Sequence, residues 1–167
     1  NVYPSRRTAG YDNAVYEATM QTAQTIKICG ERCLTASTIA DGGGIPFPIP
    51  KTGWEALMNT NSAFYGKVVD YPGNSIVVTP GGDYSITQLD MQLLHTYWMT
   101  AAEKPSGPFF DRKGGPWWCL SGIFNSPSRS AGQVLNGCGF MHDMRFDSYI
   151  YIPGQRRVRK APEVGFY

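Results

Sequence analysis

The stretch YIYIPGQRRVRKAP, Tyr149 to Pro162, constrains the fold most. Aromatic and aliphatic residues alternate as far as Pro153-Gly154. A second short run follows with a cation at nearly every position. Pro-Gly between two alternating segments is a turn signal, so the stretch is predicted as a β-hairpin. Such a hairpin belongs to an antiparallel sheet. Oily residues on both faces of that sheet would call for something apolar on each side, which favours a carrier of hydrophobic molecules over an enzyme.

With 167 residues the chain can form one domain with a real core. A net charge of +2 is too small to point to nucleic acid. Gly 19, Pro 12 and 13% aromatics favour many short strands joined by turns over a helical bundle. No apolar run approaches the length of a transmembrane helix. The chain opens on Asn1 and not on Met, which reads as a processed or trimmed end. On that reading a missing signal peptide is no argument for the cytoplasm.

The cysteines are Cys29, Cys33, Cys119 and Cys138, an even set that fits an oxidising compartment. Three pairings are open. Cys29–Cys33 would close a tiny loop, and Cys119–Cys138 would staple two successive extended segments. The second would contribute roughly 3 kcal/mol by chain entropy. Buried reduced thiols remain an alternative. Zinc is a third, although the paired C-x-x-C knuckles of many zinc sites are missing.

Along the chain, Asp12 can cap a helix whose Val15, Ala18, Thr19 and Thr22 share a face. Thr25 to Cys29 reads as a short strand and Cys29 to Gly44 as a loop. Ile45 to Pro50 alternates apolar residues with proline, an extended segment read as a stiff connection. Thr52 can cap a second helix through Trp54, Leu57 and Met58. Strands are expected at Ser75–Thr79, Tyr84–Leu89, Met91–Thr100, Trp117–Asn125, Gln133–Met141, Met144–Ile152 and Gln155–Lys160. Short connections make such a meander antiparallel. The expected class is α+β in a single domain or part of one: residues 1–66 form a helix, loop and proline segment, and 67–167 the meander. Leu94 and Trp98 are expected on one face of their strand, and Leu93, Tyr97 and Met99 on the other. Trp118, Leu120 and Phe124 oppose Trp117 and Ile123. Tyr149 and Tyr151 oppose Phe146, Ile150 and Ile152. Neither face reads as cleanly polar.

Three stretches, NVYPSRR (Asn1 to Arg7), GIPFPIPKTGWEAL (Gly44 to Leu57) and YIPGQRRVRKAP (Tyr151 to Pro162), resemble signatures of a bacterial envelope family. It is the family of unknown function DUF1329, described as similar to proteins that sort outer-membrane lipoproteins. The stretches keep the family's order and span nearly the whole chain. The resemblance implies a curved antiparallel sheet, an open half-barrel like the carrier LolA, the receptor LolB and the sensor RseB, with one or two N-terminal helices. It implies a periplasmic location in association with the outer membrane. Exporters of the resistance-nodulation-division class and outer-membrane barrels are the implied partners. Family members continue beyond residue 167. No catalytic residue, cofactor or metal comes with the family, and the cysteines are not among its features.

The candidate cavity wall is Leu94, Trp98, Trp118, Leu120, Phe124, Tyr149 and Tyr151, since apolar pockets are mostly hydrophobic and aromatic. The bland alternative is core beneath the helices. Arg156, Arg157, Arg159 and Lys160 can hold an anionic headgroup or an acidic partner. They can equally protect an edge strand from aggregation or pair with Asp143, Asp147 or Glu163. His142-Asp143 makes a poor acid–base dyad, because adjacent strand residues point to opposite faces. Asp111, Asp143 and Asp147 lack metal spacing. Ser121-Gly122 and Ser130 lack a nucleophile elbow. Gly42-Gly43-Gly44 lacks the lysine and the strand-to-helix setting of a phosphate loop. The expected function is carriage of a lipid-like ligand, without catalysis, nucleic acid or a transmembrane segment. The alternative is a module that docks a partner protein through an apolar sheet face.

Overall fold

A computed structural model describes residues 11–29, 33–34, 43–100, 102–108, 110–111, 115–140 and 145–161. Helix α1 is Asn13–Thr25, and a short pair, β1 Ile28–Cys29 and β2 Cys33–Leu34, follows it. Helix α2 is Gly53–Asn61. Six further strands follow among the described residues: β3 Val68–Val78, β4 Tyr84–Leu94, β5 Trp118–Ser126, β6 Val134–Phe140, β7 Arg145–Ile152 and β8 Arg157–Lys160. They form one antiparallel sheet in sequence order, with β3 and β8 as its edges. The sheet is curved and does not close. The α+β open half-barrel expected from the sequence is what the chain forms.

Both helices begin where the sequence placed them, by different means. Thr52 and Glu55 form a complete capping box at α2, each side chain taking an N–H that the first turn leaves unpaired. Asp12 occupies the N-cap of α1, but its side chain makes no capping hydrogen bond. Val15 and Thr22 are the buried face of α1. The proline segment is tied to α2 at both polar atoms of one backbone unit. The Phe47 N–H donates to Asn59 Oδ1 (2.9 Å), and Asn59 Nδ2 donates back to the Phe47 carbonyl. Pro46 is fully buried, which agrees with a stiff connection.

The sequence reading misplaced one junction. Tyr84–Leu89 and Met91–Thr100 are not two strands. A single strand runs through Asp90 to Leu94, and Thr96–Trp98 is a 3-10 turn. Trp98 therefore lies on no strand and shares no sheet face with Leu94. Its indole donates to the Ser62 carbonyl (2.9 Å) and packs edge-on against Phe64 and Tyr97. Strand β3 is also longer than expected: it starts at Val68 and carries Pro72 and Gly73. As an edge strand it tolerates a proline that a central strand would not.

The main core sits at one end of the sheet. Val15, Ile26, Met58, Tyr97, Trp98 and Trp117 are buried together, with Phe47, Trp54, Phe64 and Trp118 packed against them. Tyr97 and Trp117 stack with centroids 3.9 Å apart and planes 6° from parallel. Gly43 and Gly44 close over this core with φ of +81° and +98°. A Cβ on Gly43 would enter the Trp98 ring, and one on Gly44 would meet the Ala18 carbonyl. Left-handed backbone and close approach both require glycine there, a packing role for a glycine run that is no phosphate loop. The Tyr97 hydroxyl donates to the Gly44 carbonyl (2.7 Å) and holds that segment down.

Candidate functional site

Side chains of successive strand residues alternate between faces, so the pairing register assigns every strand residue to one side. One side collects Val69, Tyr71 and Val77 from β3, and Leu89, Met91 and Leu93 from β4. Register carries it on to Trp118, Leu120, Gly122 and Phe124 of β5, then Leu135, Gly137 and Gly139 of β6. Phe146, Ser148, Ile150 and Ile152 of β7 complete it. From β3 through β7 this face carries no charged side chain.

The other side is different in its middle. Asp70, Asp90, Gln92, Asn125 and Asn136 point there, and two pairs are bonded across strands. Gln92 Nε2 donates to Asp70 Oδ1 (2.9 Å), and Asn125 Nδ2 donates to Asp90 Oδ2 (2.8 Å). Ile76, Ile86, Ile123, Val134, Tyr149 and Tyr151 point to the same side, so neither face is cleanly polar, as expected. Splitting β4 at Asp90 hid the alternation of Gln88, Asp90 and Gln92 against Leu89, Met91 and Leu93. The two sides differ in charge: one carries no charged side chain from β3 through β7, and the other mixes carboxylates and amides with apolar residues.

The Trp118 end of the apolar side meets the main core. Further along, Val69, Leu89, Leu93, Leu120, Phe124, Leu135, Ile150 and Ile152 are half-buried. Tyr71 and Met91 remain 42% and 36% exposed.

The expected cavity wall is divided by this geometry. Trp118, Leu120 and Phe124 share the apolar face, as expected of them. Leu94, Tyr149 and Tyr151 lie on the opposite face, and Trp98 belongs to the helical core. Tyr71, Leu89, Met91, Leu93, Leu135, Ile150 and Ile152 were missed as members of the apolar face. The alternation from Gln88 to Leu93 was the signal that could have found the β4 residues.

The basic cluster is divided too. Arg156 is in the left-handed region (φ 48°) at the β7–β8 turn. Arg157 and Arg159 stand opposite Ile152 and Ile150, on the apolar side. Lys160 stands opposite Tyr149 on the other side, where its Nζ lies 3.4 Å from Asp147 Oδ1. Arg145 Nη2 lies 3.5 Å from Asp147 Oδ2, and the Arg145 guanidinium sits over the Phe140 ring. Two cations thus flank a carboxylate that is only 4% exposed, which offsets the cost of burying it.

Cys119 and Cys138 face each other across β5 and β6 and are joined by a disulfide, with Cα atoms 4.0 Å apart. The bond lies on the polar side at the helical end, with Phe140, Leu94 and Phe110 packed around it. Cys29 and Cys33 are opposite in the β1–β2 register, but their side chains lie outside the described residues. So do His142, Asp143 and Glu163. Asp111 is exposed and accepts a hydrogen bond from its own loop at Gly107 N–H (3.0 Å). Among the described residues no group of His, Cys, Asp or Glu is arranged to hold a metal. No helix there is long and apolar enough to cross a membrane.

His95 is buried beside the 3-10 turn, and its Nδ1 finds no hydrogen-bond partner among the described residues. Burial pulls its pKa from the usual 6.5 to about 4, against a smaller opposing effect of the Asn61 backbone. The ring is therefore neutral at pH 7. Burial likewise pushes the Tyr97 hydroxyl above its ordinary range. Both are buried, Tyr97 in the main core and His95 two residues before it.

A curved, unclosed antiparallel sheet, uncharged on one face from β3 through β7 and meeting the helical core at one end, defines an α+β half-barrel. The chain belongs to the DUF1329 family of proteins of unknown function, whose profile matches residues 1–167. An uncharacterized protein of Pseudomonas aeruginosa is 28% identical over 178 residues, covering 99% of this chain and 35% of that protein. The chain thus spans about a third of the relative's length. No solved structure matches it.

Proposed function

We propose that this chain binds and carries a hydrophobic or lipid-like ligand in the bacterial periplasm, working with an envelope exporter or an outer-membrane partner. The uncharged face running from Val69 to Ile152 supports this best. A ligand on it exchanges water for apolar side chains, at roughly 0.8 kcal/mol per buried methylene. The Cys119–Cys138 bond suits an oxidising compartment such as the periplasm. No converging pair of titratable groups on that face suggests chemistry, and the proposal is binding without catalysis.

A second reading rests on the β3–β4 tip, where apolar residues are exposed on both sides. Ile76 and Val77 are each 59% exposed, Val78 65% and Tyr84 69%. Patches of this kind also mark docking surfaces for other proteins. Organic extraction of the purified full-length protein, followed by mass spectrometry, separates the two readings. A reproducible co-purified amphiphile supports carriage. Its absence from repeated preparations, together with no uptake of added amphiphile by the extracted protein, would leave docking.

A further inference from the structure

We infer that the ligand is an anionic amphiphile, with its charged group at the β8 edge against Arg157 and Arg159 and its chain running across the sheet toward β3. The inference rests on the carrier reading and adds the ligand's charge and orientation.

Register carries the case. Tyr71, Met91, Gly122, Leu135, Ile150 and Arg159 stand in one row across all six strands. The row is uncharged until its last member. The neighbouring row closes in the same way, with Ile152 opposite Arg157. Five inter-strand steps of about 4.8 Å make an apolar track of roughly 24 Å with a cation at one end only. Arg157 and Arg159 are two residues apart on one strand, about 6.6 Å, so both can reach one carboxylate or phosphate.

The other cations of the cluster are engaged elsewhere. Lys160 lies on the polar face beside the buried Asp147, and Arg156 sits in the turn. Neither Arg157 nor Arg159 has an ion-pair partner among the described residues. No carboxylate shares their face from β3 to β7. An edge strand protected only against aggregation has no need to place its arginines at the end of the uncharged rows. An apolar floor with a one-ended cationic rim matches a molecule that is greasy along its length and negative at its tip.

The test uses this chain after organic extraction, with dansyl-labelled undecanoic acid and its methyl ester as probes. The acid is expected to bind about tenfold more tightly than the ester, the scale of one charge-assisted hydrogen bond. Added salt should shrink that advantage. Arg157→Gln/Arg159→Gln should remove it while ester binding stays unchanged. Arg157→Glu/Arg159→Glu should reverse it in favour of dodecyltrimethylammonium, and Arg156→Gln should leave it intact. Equal binding of acid and ester by the unaltered chain would overturn the inference and leave the carrier reading standing. Failure of both probes to bind would remove the carrier reading itself. Acetate or inorganic phosphate competing as well as the long-chain acid would show a site for free anions and overturn the lipid assignment. A circular-dichroism melt of each variant identifies any that fails to fold, and the charge-reversed pair then decides.

Discussion

The rings of Trp118 and Phe146 meet with centroids 5.3 Å apart and planes tilted by 31°, across a strand to which neither belongs. Trp118 is on β5, Phe146 on β7, and both stand opposite Gly139 of β6. The glycines of β6 make room for this contact. A Cβ on Gly139 would lie 3.0 Å from Trp118 Cε2 and Nε1, and one on Gly137 would lie 2.5 Å from Phe146 Cζ. Two aromatic rings thus cover the glycines on the apolar face. They shield backbone that would otherwise weaken a central strand.

Gly137→Ala should therefore destabilise the fold by about 1–3 kcal/mol, the cost of forcing a large group into a packed position. Phe146→Leu shortens the obstructing ring. The double variant Gly137→Ala/Phe146→Leu should lose less than the sum of the two single losses. Urea unfolding of the four proteins measures this coupling. Strict additivity would show that the ring does not bear on the glycine.

Loss of the Cys119–Cys138 bond should lower stability by about 2–5 kcal/mol. The bond closes a loop with a sequence separation of 19, and its sulfurs lie among Phe140, Leu94 and Phe110. The double variant Cys119→Ala/Cys138→Ala isolates this bond, whereas a reducing agent acts on every cysteine. A urea midpoint unchanged by the double substitution would contradict the prediction.

His95 sets a pH window. Its pKa in the folded chain is about 4 against an ordinary 6.5, so below pH 6.5 the unfolded chain binds the extra proton first. Its contribution is complete above pH 6.5 and declines as pH falls toward 4, by at most about 1.4 kcal/mol per pH unit. Glu103 acts lower. Its bond to Lys67 holds its pKa down to about 2, so its contribution declines only below the ordinary 4.5. Urea midpoints measured from pH 7 to pH 4.5 should fall for the parent chain and stay nearly level for His95→Phe.

How much of this was legible in the sequence depends on the reach of each signal. The Tyr149–Lys160 hairpin and the Thr52 cap are local, and each is written in a few adjacent residues. The opposition of Trp118, Leu120 and Phe124 to Ile123 follows from parity alone. The end of β4 does not, because Thr96, Tyr97 and Trp98 are β-type residues by propensity. Their 3-10 turn is dictated by partners far along the chain: Ser62 for Trp98, Gly44 for Tyr97 and the Pro116 carbonyl for Thr96. Face assignment failed between strands: alternation held within each strand, but register decides which residues of neighbouring strands share a side, and a shift of one residue exchanges the two sides of a sheet. Which of Arg157, Arg159 and Lys160 faces the apolar rows was available from alternation. That Lys160 is the one beside Asp147 required the register of β7 against β8.

Met91 and Ile86 offer a matched comparison of the two faces. Both are on β4, 36% and 45% exposed, and five residues apart, so they point to opposite sides. Neither is core, and a single glutamate at either position should change stability by no more than about 1 kcal/mol. Their effects on binding should diverge. Met91→Glu places a carboxylate in the middle of the uncharged row between Tyr71 and Gly122, where a bound chain would have to desolvate it. Affinity for the dansyl-labelled methyl ester should fall about tenfold or more. Ile86→Glu adds a charge to the side that already carries Asp70 and Asp90 and should leave that affinity within twofold. Equal losses from the two substitutions, with both proteins folded, would mean that the ligand does not distinguish the faces and that their difference in charge has no part in binding.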